Sequence, residues 1–231
     1  MYNESAVIEN TARTLSDYME KNFSDDGYEI IFSDDGSTDG SLQIVNNLHL
    51  PNVCTVGYKD NRGKGSAVRN AVLASHGNIV MFTDADLAYG TEVVKMMVKA
   101  LDDAPSAKVA IGSRNLDSDG YKEYTFLRKL ASKTYIHVLN LVGGFRLSDS
   151  QCGCKAYRGE EAKQIFSKCT IDGFAFDLET ILRAQKAGYG IIEVPVRIIN
   201  HRESKIHIFK DTFKMLGDLR KIKKSIKNED K

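Results

Sequence analysis

The strongest constraint on this chain is a repeated alternation of short apolar runs with amphipathic stretches, the apolar runs ending in acids or in Gly-Ser-Arg. Residues 5–23 carry Val7, Ile8, Ala12, Leu15 and Met19 at three-to-four spacing, the period of an amphipathic helix. Tyr28–Asp34 then reads as a buried strand. The pattern continues with a helix over Leu42–Leu48, a strand over Val53–Gly57 and a helix over Ser66–Ala74. A strand over Asn78–Thr83, a helix over Glu92–Leu101 and a strand over Lys108–Gly112 follow. This order predicts one α/β domain whose mostly parallel sheet is flanked by helices on both faces. Functional groups in such sheets gather beyond the carboxyl ends of the strands. Past residue 115 the alternation loosens. A helical stretch over Phe126–Val142 leads to a polar block, Asp149–Lys155, then to a helix containing Phe176–Glu179, a strand near Ile191–Val196 and a final helix from about Ile206.

Composition narrows the class. With 42% hydrophobic and 27% charged residues, the chain is a soluble globular type rather than a disordered, collagenous or disulfide-stapled one. No apolar run reaches the ~18–20 residues that span a bilayer, and the start does not read as a signal peptide. Four scattered cysteines (Cys54, Cys152, Cys154, Cys169) point to reduced thiols in the cytoplasm. The net charge of +1 conceals an asymmetry: from Lys205 onward there are nine Lys/Arg against four Asp/Glu, and before it 23 against 27. An acidic body carries a basic tail, and no nucleic-acid partner is expected.

Polar motifs fall where strands end. Asp84-Ala85-Asp86 follows an apolar strand and offers two hard oxygen donors, suited to Mg²⁺ or Mn²⁺ with coordination positions left for a diphosphate. The bland alternative is a solvated turn. Asp34-Asp35-Gly36 ends another strand, and its acids can accept from a base or ribose. A Ca²⁺ loop starting at Asp35 fails because its twelfth position is Asn46, not Glu. Asn61-Arg-Gly-Lys-Gly65 is neither a P-loop, whose glycine spacing it misses, nor a dinucleotide fingerprint, whose third glycine is Val68 here. It remains a basic, Gly-rich turn opening a helix. Arg114, after Gly112-Ser113, and Arg128 with Ser132 add phosphate-binding forks, although Arg128 alone reads as a surface ion-pair residue. Cys152-Gly-Cys154 lacks the partner pair a zinc site needs, and no Ser-His-Asp or Cys-His set is recognisable.

Taken in order, these blocks resemble family 2 glycosyltransferases of the GT-A fold, and within them the dolichyl-phosphate or polyprenyl-phosphate glucosyl- and mannosyltransferases. The resemblance runs through Tyr2-Asn3-Glu4, Asp34–Gly40, Asn61–Arg69, Asp84–Leu87, Gly112–Arg114, Asp149–Lys155, Gly173–Glu179, Glu193–Val196 and Ser204-Lys205. It implies a nucleotide-diphospho-sugar transferase fold. Tyr2, Glu4, Asp34, Asp35 and Lys64 would hold the nucleotide, with Asp84 at its diphosphate. Asp84 and Asp86 would hold Mg²⁺ or Mn²⁺, with Asp86 at the catalytic centre. Arg114, Arg128 and Ser132 would meet the acceptor phosphate, Arg202 and Lys205 would close over the diphosphate, and Asp149 would sit near the reacting sugar carbon. The family opens with a buried strand before Tyr-Asn-Glu, so the first strand is apparently missing here.

The expected organisation is a transferase domain over residues 1–204 and a basic amphipathic helix over 205–231. The expected reaction is inverting transfer of a hexose, glucose from UDP-glucose, to a polyprenyl or dolichyl phosphate at the cytosolic membrane face. The protein would be peripheral there, binding the membrane surface through its basic helix. The acceptor phosphate is already largely anionic at neutral pH, so Asp149 is expected to orient or stabilise charge rather than act as a strong base. Open alternatives are a GDP-mannose donor, a cell-surface glycan acceptor, a nucleotidyltransferase (disfavoured by the lack of a Gly-rich triphosphate loop), and a non-catalytic nucleotide-sugar-binding module. Oligomeric state is not legible.

Overall fold

The computed structural model of the protein describes residues 1–119, 136, 138–200 and 208–229, and of these the side chains of 208–214 and 216 are left aside. Its elements are α1 (Ile8–Phe23), β1 (Ile30–Asp35), α2 (Ser41–Asn47), β2 (Val53–Tyr58), α3 (Lys64–Ala74), β3 (Ile79–Phe82), α4 (Glu92–Asp103) and β4 (Ala107–Ser113). Then come β5 (Lys155–Arg158), α5 (Gly159–Phe166), α6 (Phe176–Lys186), β6 (Gly190–Pro195) and α7 (Ile208–Asn228). Every helix and strand expected before residue 113 is present, displaced by no more than a few residues at its ends.

β3, β5, β4 and β6 form a four-stranded sheet in that order. β4 runs parallel to β6, whereas β5 lies antiparallel between β3 and β4. β5 and α5 were not foreseen, because a four-residue strand adjoining a polar block carries too little period-two signal. Side chains of the central strands alternate between two cores, as strand geometry requires. Val109, Ile111 and Tyr157 face α5, α6 and α7, joining Phe166, Phe176, Ile181 and Leu219. Ala110, Ala156 and Val194 face α4, joining Val93, Met97 and Leu101. Burial on both sheet faces fixes the strand ends, and with them the loops that carry the polar motifs.

β1 and β2 form a separate parallel pair, packed with α1 and α2 around Ile8, Ala12, Ile30, Phe32 and Val45. No ladder joins this pair to the larger sheet among the described residues. The edges of β1 and β3 instead line a cleft of 1840 Å³. Met1 already touches one edge: its amino group donates to Ser33 O at 2.6 Å and its carbonyl accepts from Asp35 N at 2.9 Å. That exchange about Asp34 has the form of a parallel bridge. The gap between β1 and β3 thus has the shape and hydrogen-bonding edges of a strand.

Helix α7 docks Met215, Leu219 and Ile222 into the core beside α6, with Ile226 packed against it. This spacing makes one apolar stripe. Arg220, Lys221, Lys223, Lys224 and Lys227 are exposed on the rest of its second half. No helix among the described residues is long and apolar enough to cross a membrane.

Candidate active site

The strand ends bring six of the expected residues to one cleft: Tyr2, Glu4, Asp35, Lys64, Asp84 and Asp86 all line it. At its β1 side, Asp35 is buried and its carboxylate is saturated. Oδ1 accepts from Tyr58 Oη at 2.8 Å, Arg62 N at 2.9 Å and Gly63 N at 3.0 Å, and Oδ2 accepts from Asn61 Nδ2 at 2.8 Å. Asp35 therefore holds the 61–63 turn in place. Burial, helped by Asp35, pushes the Tyr58 phenol up to about 12, so it stays a donor. Asp34 Oδ2 accepts from Ser37 N at 3.0 Å, while buried Oδ1 has no donor among the described residues. Gly36 turns the chain here at φ +76, and a Cβ would lie 2.7 Å from Asn61 N.

The N-terminal segment is stitched onto the loop after β1. Asn3 N and Glu4 N donate to the hydroxyls of Ser37 and Ser41, and Ser5 N donates to Asp39. This presents Tyr2, which is 44% exposed, and Glu4 on the cleft.

The Gly-Lys-Gly turn owes its glycines to packing. A Cβ on Gly63 would meet Asp172 O at 2.5 Å, and one on Gly65 would meet Ile171 O at 2.5 Å. Arg69 reinforces this contact through Asp172 at 2.5 Å. Buried Glu179 holds the same loop by accepting from Thr170 N and Ile171 N. The start of α3 is thereby fixed and Lys64 points at the end of β3.

There Lys64 Nζ lies 2.5 Å from Asp84 Oδ1. Burial favours the neutral amine, yet Asp84 and Asp177 outweigh it and hold the Lys64 ammonium above its usual range. Asp86 Oδ1 accepts from Ala88 N at 3.1 Å. Beneath them, fully buried Lys155 Nζ bonds Asp177 Oδ1 at 2.5 Å and Cys152 O at 2.8 Å. Burial raises Asp177 despite Lys155 and Lys64. The turn so held brings Gly153 against Asp84, where a Cβ would lie 2.3 Å from Oδ2. Sequence reading gave Lys155 and Asp177 no role, since partners 22 residues apart have no local signature.

Asp149 and Arg114 lie beside this turn and do not line the cleft. Asp149 is fully buried and gripped as a fork: Arg114 Nε donates to Oδ2 at 2.6 Å and Nη2 to Oδ1 at 2.9 Å. Burial opposes the Arg114 charge, and Asp149 overrides it, so the guanidinium stays charged. Both oxygens of this carboxylate are thus taken up by the guanidinium. Glu193 on β6 steadies it, its Oε1 accepting from Ser148 N, Ser148 Oγ and Asp149 N at 2.8, 2.6 and 3.3 Å. Burial raises the Cys152 thiol to about 11, keeping it protonated. Arg128, Ser132, Arg202 and Lys205 lie outside the described residues.

The donor set fits a divalent cation. Two carboxylates two residues apart leave most positions of an octahedral ion to phosphate and water, the usual Mg²⁺ or Mn²⁺ arrangement with a diphosphate. No cluster of three or more metal-ligating side chains exists among the described residues, so the remaining ligands would come from elsewhere.

Solved structures share this architecture. Glucosyl-3-phosphoglycerate synthase from Mycobacterium tuberculosis, solved with Mn²⁺, UDP and glucosyl-3-phosphoglycerate, superposes with TM-score 0.70 at 19% identity, covering 98% of this chain and 77% of that one. Mannosyl-3-phosphoglycerate synthase from Rubrobacter xylanophilus gives 0.60 at 18%, covering 95% and 72%. These likenesses show the GT-A fold. In sequence, the dolichyl-phosphate beta-glucosyltransferase of Dictyostelium discoideum is 31% identical over 207 residues, 85% of this chain and 62% of the relative. The human enzyme of that name is 28% identical over 230 residues, covering 94% and 71%. The chain spans less than two thirds of the length of the Dictyostelium relative and of a Trichomonas vaginalis one. The profile of glycosyl transferase family 2 matches residues 1–166, and the chain belongs to that family.

Proposed function

We propose that the chain transfers glucose from UDP-glucose, with inversion, to dolichyl or another polyprenyl phosphate at the cytosolic membrane face. The observation that carries this reading is the convergence of Asp84, Asp86 and Lys64 with Tyr2, Glu4 and Asp35 on one cleft. Relatives named dolichyl-phosphate beta-glucosyltransferase along most of the chain support the choice of sugar and acceptor.

In this reading Tyr2 and Glu4 receive the nucleoside, buried Asp34 acts by holding the loop after β1, and Asp35 acts by holding the 61–63 turn. Lys64 neutralises the diphosphate, joined by Arg202 and Lys205. Asp84 and Asp86 hold Mg²⁺ or Mn²⁺, which when bound supplies charge stabilisation for the departing diphosphate. Arg114, with Arg128 and Ser132, faces the acceptor phosphate, and Asp149 holds Arg114 in orientation. Because the acceptor arrives as an anion, alignment of two anions and their neutralisation carry the catalysis, not deprotonation.

The basic face of α7 is the membrane contact. Its apolar stripe is already docked on the body, so the contact works by charge, at about 1 kcal/mol per Lys or Arg near an anionic surface. Deleting residues after Leu219 would strip Ile222 from the core. Reversing Lys223, Lys224 and Lys227 to Glu is the cleaner test. It should weaken binding to phosphatidylserine vesicles severalfold and leave UDP binding intact, and unchanged vesicle binding would refute the contact.

The reaction itself is tested by a panel of UDP- and GDP-sugars with Mg²⁺ or Mn²⁺ and a short polyprenyl phosphate. UDP-glucose should be the productive donor. Preference for GDP-mannose, or for a free glycan over the lipid phosphate, would overturn the assignment. Nucleotide binding without any transfer would make the chain a binding module.

A further inference from the structure

The cation on Asp84 in this chain is its own. Lys64 Nζ sits 2.5 Å from Asp84 Oδ1, and the other oxygen, Oδ2, is packed against the backbone at Gly153, where even a methyl group would come within 2.3 Å. A divalent ion that takes Asp84 through Oδ1 meets the oxygen that the ammonium already holds. Both cations cannot share it closely without strong repulsion.

We propose that Lys64 is the resident counter-cation of this carboxylate: it occupies Asp84 while donor is absent and passes to the diphosphate when a divalent ion takes Asp84. The inference rests on the reading of Asp84 and Asp86 as ion ligands. Three features support an exchange confined to the side chain. The backbone around Lys64 is pinned, with Gly63 N donating to Asp35 at 3.0 Å and Ser66 N to Asp172 O at 3.2 Å. Lys64 opens α3, so its long stem alone can swing. The nearby buried carboxylate, Asp177, is already bonded by Lys155 at 2.5 Å and offers no equivalent berth.

The consequence is coupling. A divalent ion binding alone must leave Lys64 charged, displaced and beside another cation. Bound together with a nucleoside diphosphate, it leaves Lys64 a new anionic partner. Ion and donor thus favour each other, and by linkage each tightens the other by the same factor, typically 5- to 150-fold.

The test measures Mn²⁺ affinity without nucleotide, by electron paramagnetic resonance of the free ion. Lys64→Met should bind Mn²⁺ at least fivefold more tightly than the wild type. Arg62→Met removes the same charge from the neighbouring turn, where Arg62 stacks on Tyr58 rather than reaching Asp84, and should change affinity less than twofold. Lys64→Gln provides a second neutral side chain, and circular dichroism melts confirm that each variant is folded. Equal or weaker Mn²⁺ binding by both neutral variants, or an equal gain in Arg62→Met, overturns the proposal. Failure of the ion-ligand reading looks different: adding Asp84→Asn to Lys64→Met would then leave Mn²⁺ binding unchanged instead of abolishing it.

Discussion

Single atoms decide how this site works. Glu193 collects three donors from the Ser148–Asp149 turn on one oxygen, Oε1, and that turn presents the carboxylate that orients Arg114. A glutamine carbonyl can accept the same donors without the charge. Glu193→Gln should therefore keep most transfer activity, whereas Glu193→Ala, leaving buried donors unsatisfied at about 1–3 kcal/mol, should lose roughly tenfold or more. Steady-state kinetics with varied acceptor will read this, and equal losses in the two variants would show that charge, not geometry, is what Glu193 contributes. Gly153 makes a parallel case. Its Cα lies so close to Asp84 Oδ2 that Gly153→Ala must displace the carboxylate, and Mn²⁺-dependent UDP binding, measured by calorimetry, should fall severalfold while the thermal midpoint moves little.

Elements bring those atoms together, and here Glu29 has a specific part. It precedes β1, yet its Oε1 accepts from His76 N and Gly77 N, in the turn that leads to β3. It thus ties the far end of the β1–β2 pair to the larger sheet across the cleft. Burial works against its charge, but the His76 and Gly77 donors prevail and hold its pKa below the usual 4.5. A lowered folded value means that the stabilisation is complete above about pH 4.5 and is lost as the pH falls through the folded value. Glu29→Gln should accordingly be less stable than wild type near neutrality, with the difference shrinking in acid, as urea melts at pH 7 and pH 3 will show.

How much was legible follows from these elements. The alternation before residue 113 is local and periodic, so β1 to β4 and their helices could be placed from sequence. The acids at the ends of β1 and β3 could be assigned to a site for the same reason. What escaped depends on distant partners. β5 is a strand because β3 and β4 flank it, Lys155 owes its place to Asp177 as well as to Cys152 O, and the glycines of the Gly-Lys-Gly turn are demanded by the backbone at 171 and 172. The amphipathic period of α7 is local, but the packing of Leu219 and Ile222 beside α6 depends on a distant partner.

At the scale of the whole molecule, the cleft divides the site into a β1 half, which carries Tyr2, Glu4 and Asp35, and a β3 half, which carries Asp84 and Asp86. The Met1 amino group is largely buried at the β1 edge, and burial, exceeding the pull of Asp34 and Asp35, lowers its pKa. A peptide N–H there would make the same bond to Ser33 O without desolvating a charge. A designed extension of about five β-branched residues ahead of Met1 should continue the parallel bridge, pair with both open edges and raise the melting temperature by several degrees. It should also tighten UDP binding, because the two halves would become one sheet. No shift in either quantity would mean that the gap is not a strand site.

Asp84, Asp86 and Lys64 are proposed to serve glucosyl transfer to a lipid phosphate. The most direct test of that role is the transfer of radiolabel from UDP-glucose into organic-extractable polyprenyl phosphate, with Mn²⁺, by the wild type and by Asp86→Ala. Labelled lipid is expected with the wild type, with dependence on added Mn²⁺ and a loss of at least about a hundredfold in Asp86→Ala. Equal labelling by the two proteins, or none by a folded wild type that binds UDP, would contradict that role.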